Sequence, residues 1–326
     1  MKAIVQDTYG GPDVLRLEDV DMPSPEPDQV LLRVRAAAVN PADWHFMRGE
    51  PYVMRVMGFG LRRPRNRIPG FDVAGVVEAV GAQVTRFSPG DAVVGHLWDG
   101  GGALAEYVCA TEDSLVAKPD ALAYDRAAAL PVAGLTALAA MRDIGRLTPG
   151  RSVLINGASG GVGTFAVQIA RTLGAQVTGV CSARNADLVA SLGAHRVIDY
   201  TVEDFTAGTE RYDVVLDNVA NHRLSALRRV VTAGGTVMPN NGDSDDRWFG
   251  AAARAVGAQL VAPFVAERIR PVQSPMRRED LAALVDLVDA GLVTPVIGRV
   301  FPLSDAAAAI AHVEAGHARG KVVISV

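Results

Sequence analysis

The hydrophobic pattern changes character twice along the chain. Up to about residue 120, apolar and β-branched residues come in short runs closed off by Gly and Pro, which predicts strands. Met1 to Gln6, Val30 to Ala36 and Val73 to Val80 are such runs. Pro23, Pro25 and Pro27 precede the second, Pro69-Gly70 the third, and Pro89-Gly90-Asp91 leads into Ala92 to Gly95. Turns this closely spaced predict a compact, partly barrel-like sheet. Residues 125–146 are rich in Ala and Leu and predict a helix interrupted around Pro131 and Gly134. From Arg151, strands at 152–156, 175–181, 195–199, 213–217 and 235–239 alternate with helices at 161–173, 184–192 and 222–230. That alternation predicts an α/β doubly wound parallel sheet. The tail turns mixed again: a helix at 278–290, a strand at 297–301, a helix at 304–315 and a last strand from Lys321 to Ser325. The parallel block, 122–274, is therefore expected as an insertion between two parts of a β-rich domain, 1–121 and 275–326.

A chain of 326 residues suits two such domains at about 100–200 residues each. Apolar residues are 49% and charged residues 21%, which excludes wholesale disorder. The net charge of −4 creates no field favouring nucleic acid or an anionic membrane. Lysine occurs only at Lys2, Lys118 and Lys321, so arginine is the default cation and a lone one says little. Two cysteines, Cys109 and Cys181, exclude a disulfide scaffold and a four-cysteine zinc lobe; both read as small core residues. No signal peptide is recognised, and no apolar run reaches the ~18–20 residues of a membrane span. A cytoplasmic protein without membrane or nucleic-acid partners is expected.

The chemistry starts at Gly157-Ala158-Ser159-Gly160-Gly161-Val162-Gly163, between a buried strand and a helix. The dinucleotide pattern G-x-G-x-x-G reads here Ala158-x-Gly160-x-x-Gly163. Gly160 lets backbone approach a pyrophosphate, Gly163 lets helix and strand pack, and the N–H groups at the helix start face the anion. An NAD site places an acid at the end of the next strand to bind the ribose 2′-OH. Here Ser182 and Arg184 follow that strand, and no carboxylate comes before Asp187. Both can donate to a 2′-phosphate, Arg184 as a fork, so the expected cofactor is NADPH. Tyr200 either flanks the adenosine phosphate or simply packs.

Several stretches together resemble the zinc-less quinone oxidoreductase (zeta-crystallin-like) branch of the medium-chain dehydrogenase/reductases. They are Val39 to Asp43, Ile68 to Gly75, Phe87 to Asp91, Gly102 to Tyr107, Ala128 to Ala137, the glycine turn and His317 to Val323. The resemblance spans essentially the whole chain. It implies a GroES-like catalytic domain made from both ends, a Rossmann domain between, a cofactor in the cleft and a homodimer. It also implies that Asn40 bonds near the nicotinamide ribose and that Thr136 lies near the nicotinamide. Ser159, Gly160, Gly161, Val162, Gly163, Asn218, Asn240 and Lys321 complete the candidate cofactor set. Where the zinc alcohol dehydrogenases carry Cys, His and Cys, this chain carries Asn40, Phe71 and Ala133, so no metal is expected.

Without a Lewis acid, hydride addition to electron-poor quinones and α,β-unsaturated carbonyls is the easier chemistry. The alternatives are a zinc-independent alcohol or carbonyl dehydrogenase and a non-catalytic NADPH-binding protein. His45 stands where relatives hold a proton-relay histidine; it contacts ribose, shuttles a proton or is a loop histidine. Asp43 is expected to fix the loop. The stretch 44–67, with Trp44, Tyr52, Met57 and Phe59, is either an aromatic and Met-rich loop forming the acceptor pocket, its arginines attracting an anionic substituent, or a solvated basic loop with some apolar anchors. Arg247 to Arg270 is expected in core or intersubunit packing.

Overall fold

The computed structural model describes residues 1–98, 100–240, 248, 257, 266–316 and 318–326. They pack as two units. The first is Met1–Leu135 with Pro275–Gly291 and Pro295–Val326; the second is Thr136–Ser274 with Leu292–Thr294. His317 and most of the 247–270 stretch lie outside the described residues.

In the first unit the chain runs through β1 (Lys2–Val5), β2 (Arg16–Asp19), β3 (Gln29–Val39), α1 (Pro41–Arg48), β4 (Asp72–Val80), β5 (Ala92–His96), β6 (Tyr107–Thr111), β7 (Leu115–Ala117) and α2 (Tyr124–Ala128). Along β3, Leu32 and Val34 are buried while Arg33 and Arg35 are exposed, the period-2 pattern of a half-covered strand. The stretch after Val39 is helical rather than the expected loop. Asn40 and Asp43 form a capping box, Pro41 takes the first helical position, and Gly49 (φ 59°) ends α1 in the left-handed region. α2 packs on β3 and β4, although the expected domain boundary at 121/122 falls before it.

α3 (Pro131–Leu138) follows. Gly134 does not interrupt it. A Cβ there would lie 2.4 Å from Leu284 Cδ2, so the glycine serves close packing inside a continuous helix.

The second unit contains β8 (Ser152–Asn156), α4 (Gly161–Thr172), β9 (Gln176–Cys181), α5 (Ala186–Ser191), β10 (Arg196–Asp199), β11 (Tyr212–Asp217), α6 (Leu224–Arg229), β12 (Val231–Pro239) and β13 (Arg268–Ile269). The strands pair in parallel in the order β10-β9-β8-β11-β12-β13, the Rossmann order. Val153, Leu154 and Ile155 are fully buried, as expected of a strand covered on both faces.

The chain returns to the first unit with α7 (Arg278–Asp289), β14 (Ile297–Pro302), α8 (Ala306–Glu314) and β15 (Lys321–Ser325). The sheet order is β14-β15-β3-β4-β5-β7, with β6 also on β3. Leu32, Val34, Val73, Val93, Leu104, Val322 and Ile324 belong to one core cluster. The doubly wound sheet is thus inserted into a β-rich domain built from both ends of the chain. Cys181 is buried, but Cys109 is only half-buried, since β6 pairs with β3 alone. Among the described residues no helix is long and apolar enough to cross a membrane.

Candidate cofactor and acceptor sites

The second unit builds its site at the carboxyl ends of its central strands. Gly157 takes φ +77° directly after β8, a conformation that glycine adopts without cost. The tight turn is therefore made by Gly157, one residue before the position that the motif assigns to it. This explains how a buried Ala158 is tolerated there. A Cβ on Gly163 would lie 2.1 Å from the Gly157 carbonyl oxygen, so α4 and the turn meet backbone to backbone. A Cβ on Gly160 would find only that oxygen, at 3.5 Å, leaving open space over the turn. Gly160 is the N-cap of α4, and the N–H groups of Gly161, Val162 and Gly163 lack partners within the helix. This cradle fits a dinucleotide pyrophosphate.

Ser182 follows β9, and Arg184 lies exposed in the turn Ala183–Asn185. Asn185, missed in the sequence, ties the two loops together. Its amide donates to Ser159 Oγ (3.1 Å) and Ser182 Oγ (3.4 Å). Tyr200 is 52% exposed just after β10. At the ends of β8, β11 and β12 the side chains form an amide ring. Asn156 donates to Asp217 (2.9 Å), Asn218 to the Asn156 carbonyl (3.1 Å) and Asn240 to Asn218 Oδ1 (2.9 Å). Asn218 and Asn240 thus brace the strand ends, and the buried Asn156 and Asp217 were not anticipated. Thr136 is half-buried on α3.

Asn40 and Lys321 come together in the first unit, but in a buried network. The Lys321 ammonium donates to Asn40 Oδ1 (2.6 Å), Asp72 Oδ2 (3.0 Å) and the Val39 carbonyl (3.3 Å). Asn40 Nδ2 donates to Asp72 Oδ2 (2.9 Å), and the Val132 N–H to Asp72 Oδ1 (2.9 Å). Both residues, expected as cofactor contacts, have these partners within the protein. Lys321 and Asn40 are each 3% exposed, and their polar groups are engaged with one another and with Asp72. The signal for Asp72 was present in the Gly70-Phe71-Asp72 motif, but its partner lies 249 residues away.

Asp43 is also fully buried. Its Oδ2 accepts the Asn40 N–H (2.7 Å), while Oδ1 has no hydrogen bond of normal geometry. Desolvation, with the Asp72 carboxylate adding to it, pushes its pKa up to about 7, against the pull of the Asn40 N–H and Lys321. Between the ordinary value of 3.8 and about 7 the folded state holds a proton that the unfolded state has lost. Unfolding free energy therefore falls as pH rises through that window, and the loss is complete above it. Asp43→Asn is expected to remove this slope, so its stability relative to the parent rises from pH 4 to pH 7. Urea unfolding of both proteins across that range checks this; parallel profiles would refute it.

A cavity of about 100 Å³ lies in the first unit, with Phe46, Phe59, Phe71, Trp98, His45 and Arg65 among its walls. The rings contact one another in series, at 4.4 Å for Phe46–Phe59, 4.9 Å for Phe46–Phe71 and 5.2 Å for Phe71–Trp98 between centroids. Pockets for drug-sized ligands run to ~300–1,000 Å³, so this one takes a single ring. Of the four expected pocket residues only Phe59 lines it. Trp44 stacks on His45 at 3.6 Å and packs on the core, because α1 turns it inward. Tyr52 lies under the Arg55 guanidinium, and Met57 is 73% exposed. His45 is helical. Its Nδ1 lies 3.0 Å from the Glu50 carbonyl, which can only accept, so Nδ1 carries the proton in the neutral ring.

The residues do not fit a zinc ion. Asn40 is already bound to an ammonium group, Phe71 belongs to the aromatic wall, and Ala133 offers no donor. Among the described residues no group of three or more His, Cys, Asp and Glu side chains could hold a metal.

Residues 26–120 match the family described as alcohol dehydrogenase GroES-like domain, and residues 192–324 that described as zinc-binding dehydrogenase. The chain is 35% identical to a chloroplastic quinone-oxidoreductase homolog of Spinacia oleracea over 335 residues, covering 99% of this chain and 98% of the relative. It is 34% identical to a mitochondrial NAD(P)H oxidoreductase of Mus musculus, covering 100% and 89%. The solved quinone oxidoreductase from Coxiella burnetii matches 100% of this chain and 99% of its own, at 32% identity and a TM-score of 0.86. The chain belongs to the medium-chain dehydrogenase/reductases, in their quinone oxidoreductase branch, and is an oxidoreductase that uses a nicotinamide cofactor.

Proposed function

We propose that this protein is an NADPH-dependent reductase of quinones or α,β-unsaturated carbonyls that works without zinc. The observation that carries the reading is the pairing of the open glycine turn with Ser182 and Arg184, where an NAD site would hold an acid. The turn and the start of α4 hold the pyrophosphate; Ser182 and Arg184 hold the ribose 2′-phosphate. Bound NADPH supplies a hydride. The aromatic cavity orients a flat acceptor and excludes water, and the His45 imidazole, protonated, donates to the oxygen on which charge develops. Without a metal to stabilise an alkoxide, the acceptor must spread that charge itself, which quinones and enones do. The homodimer implied by the resemblance and the cytoplasmic placement expected from the sequence belong to this reading; sedimentation and cell fractionation measure them.

Each charge-assisted hydrogen bond is worth ~1.5–3 kcal/mol. Arg184→Ala is therefore expected to weaken NADPH binding roughly ten- to a hundredfold while leaving NADH affinity nearly unchanged. Equal losses for the two cofactors, measured by calorimetry, would overturn the assignment. Turnover is tested by following NADPH oxidation with 1,4-benzoquinone, 2-cyclohexen-1-one and simple aldehydes, with product identification. Tight NADPH binding without turnover of any of them would favour a binding protein; activity lost to a chelator and restored by zinc would overturn the metal-free mechanism.

A further inference from the structure

One wall of the aromatic cavity is the segment after Phe59, from which Pro64, Arg65 and Asn66 contribute lining. The segment is fixed by backbone contacts. Tyr9 donates its hydroxyl to the Phe59 and Gly60 carbonyls (2.9 and 2.7 Å), and the Arg65 N–H donates to the Phe59 carbonyl (2.8 Å). Gly60 makes the reversal possible. Its φ is +107°, and a Cβ would lie 2.1 Å from the Arg63 carbonyl oxygen. The fold thus holds Arg65 in the wall of an apolar, ring-sized space, with Arg62 and Arg63 in the same exposed turn of chain.

Their charges are not used locally. Arg67 is bound to Asp7 at 2.7 Å. Arg62, Arg63 and Arg65 are exposed, and their guanidinium groups make no ion pair or hydrogen bond among the described residues. In a chain of net charge −4, with arginines such as Arg16, Arg86 and Arg196 bound to carboxylates, this is a local concentration of unpaired positive charge. A guanidinium group recognises a carboxylate as a fork and attracts it over several ångströms. We propose that the acceptor is a single-ring enone or quinone bearing a carboxylate, its ring in the aromatic cavity and its anionic group at the Arg62–Arg63–Arg65 rim.

This inference rests on the reductase reading and specifies its substrate class. The test uses 4-oxocyclohex-2-ene-1-carboxylate and its methyl ester, which share the ring and differ in charge. Calorimetry without NADPH reports binding, and NADPH oxidation reports kcat/KM. The carboxylate is expected to bind roughly tenfold more tightly than the ester at low ionic strength, and the ratio to shrink as salt is added. In Arg62→Glu/Arg63→Glu/Arg65→Glu, whose three sites are exposed and leave the core untouched, the ratio is expected to fall to one or below. Equal binding of both compounds by the parent protein, or an undiminished ratio in the triple variant, would overturn the proposal. A binding preference without turnover of either compound upholds the cationic rim and refutes the reductase reading. Turnover of both with the same kcat/KM does the reverse.

Discussion

Lys321→Met is expected to lower the stability of the first unit by about 3–5 kcal/mol, the cost of stranding one half of a buried ion pair. The Asp72 carboxyl is fully buried, and without the ammonium it keeps only the Asn40 amide and the Val132 N–H. Methionine fills most of the volume that lysine leaves, so the loss reports charge rather than a cavity. The double variant Asp72→Asn/Lys321→Met is expected to regain most of the stability. Its carboxamide can still accept from Val132, and no uncompensated charge remains. Urea unfolding of the two variants measures both effects. A single-variant loss below about 1 kcal/mol, the range of surface pairs, would mean that the network is not dry.

Gly163→Ala is expected to reduce NADPH affinity by more than about 100-fold and to lower Tm as well. The added methyl group would lie 2.1 Å from the Gly157 oxygen and 2.7 Å from Ala158 Cα. Neither atom can step aside without opening the joint between β8 and α4. Gly160→Ala provides the contrast. Its Cβ would meet only one protein atom, at 3.5 Å, so Tm should hold while the methyl group obstructs the incoming pyrophosphate. Calorimetric titration beside thermal unfolding separates the two. If Gly160→Ala binds NADPH as the parent does, the open space over the turn is not where the phosphates lie.

The second unit was legible because its signals are local. Val153 to Ile155 read as a buried strand, and the glycines after it read as a turn, within one short window. Even there, the motif put Ala158 at the tight turn, while the left-handed residue is Gly157; backbone angle is not written in residue spacing alone. The first unit's polar network was not legible, for the opposite reason. Lys321 meets Asn40 only because β15 pairs with β3, a registration that joins residues 281 positions apart. The aromatic cavity was less legible because its walls depend on side-chain direction. The 44–67 stretch supplied Phe46 and Phe59, but helix α1 turned Trp44 into the core; of the other walls, Phe71 came from a motif read for a different purpose and Trp98 from no motif at all.

β15 lies between β14 and β3, in the interior of its sheet rather than at the margin. Ribosomal synthesis therefore delivers the opening residues of the first unit long before the strand that must lie between them and β14. The second unit, by contrast, is nearly complete once Ser274 has emerged. In the interval, β3 has an unsatisfied ladder facing the position of β15, and such an edge invites pairing with other nascent chains. Loss of residues 321–325 would make that interval permanent. Trimming there is thus expected to appear first as aggregation, not as a change in cofactor preference.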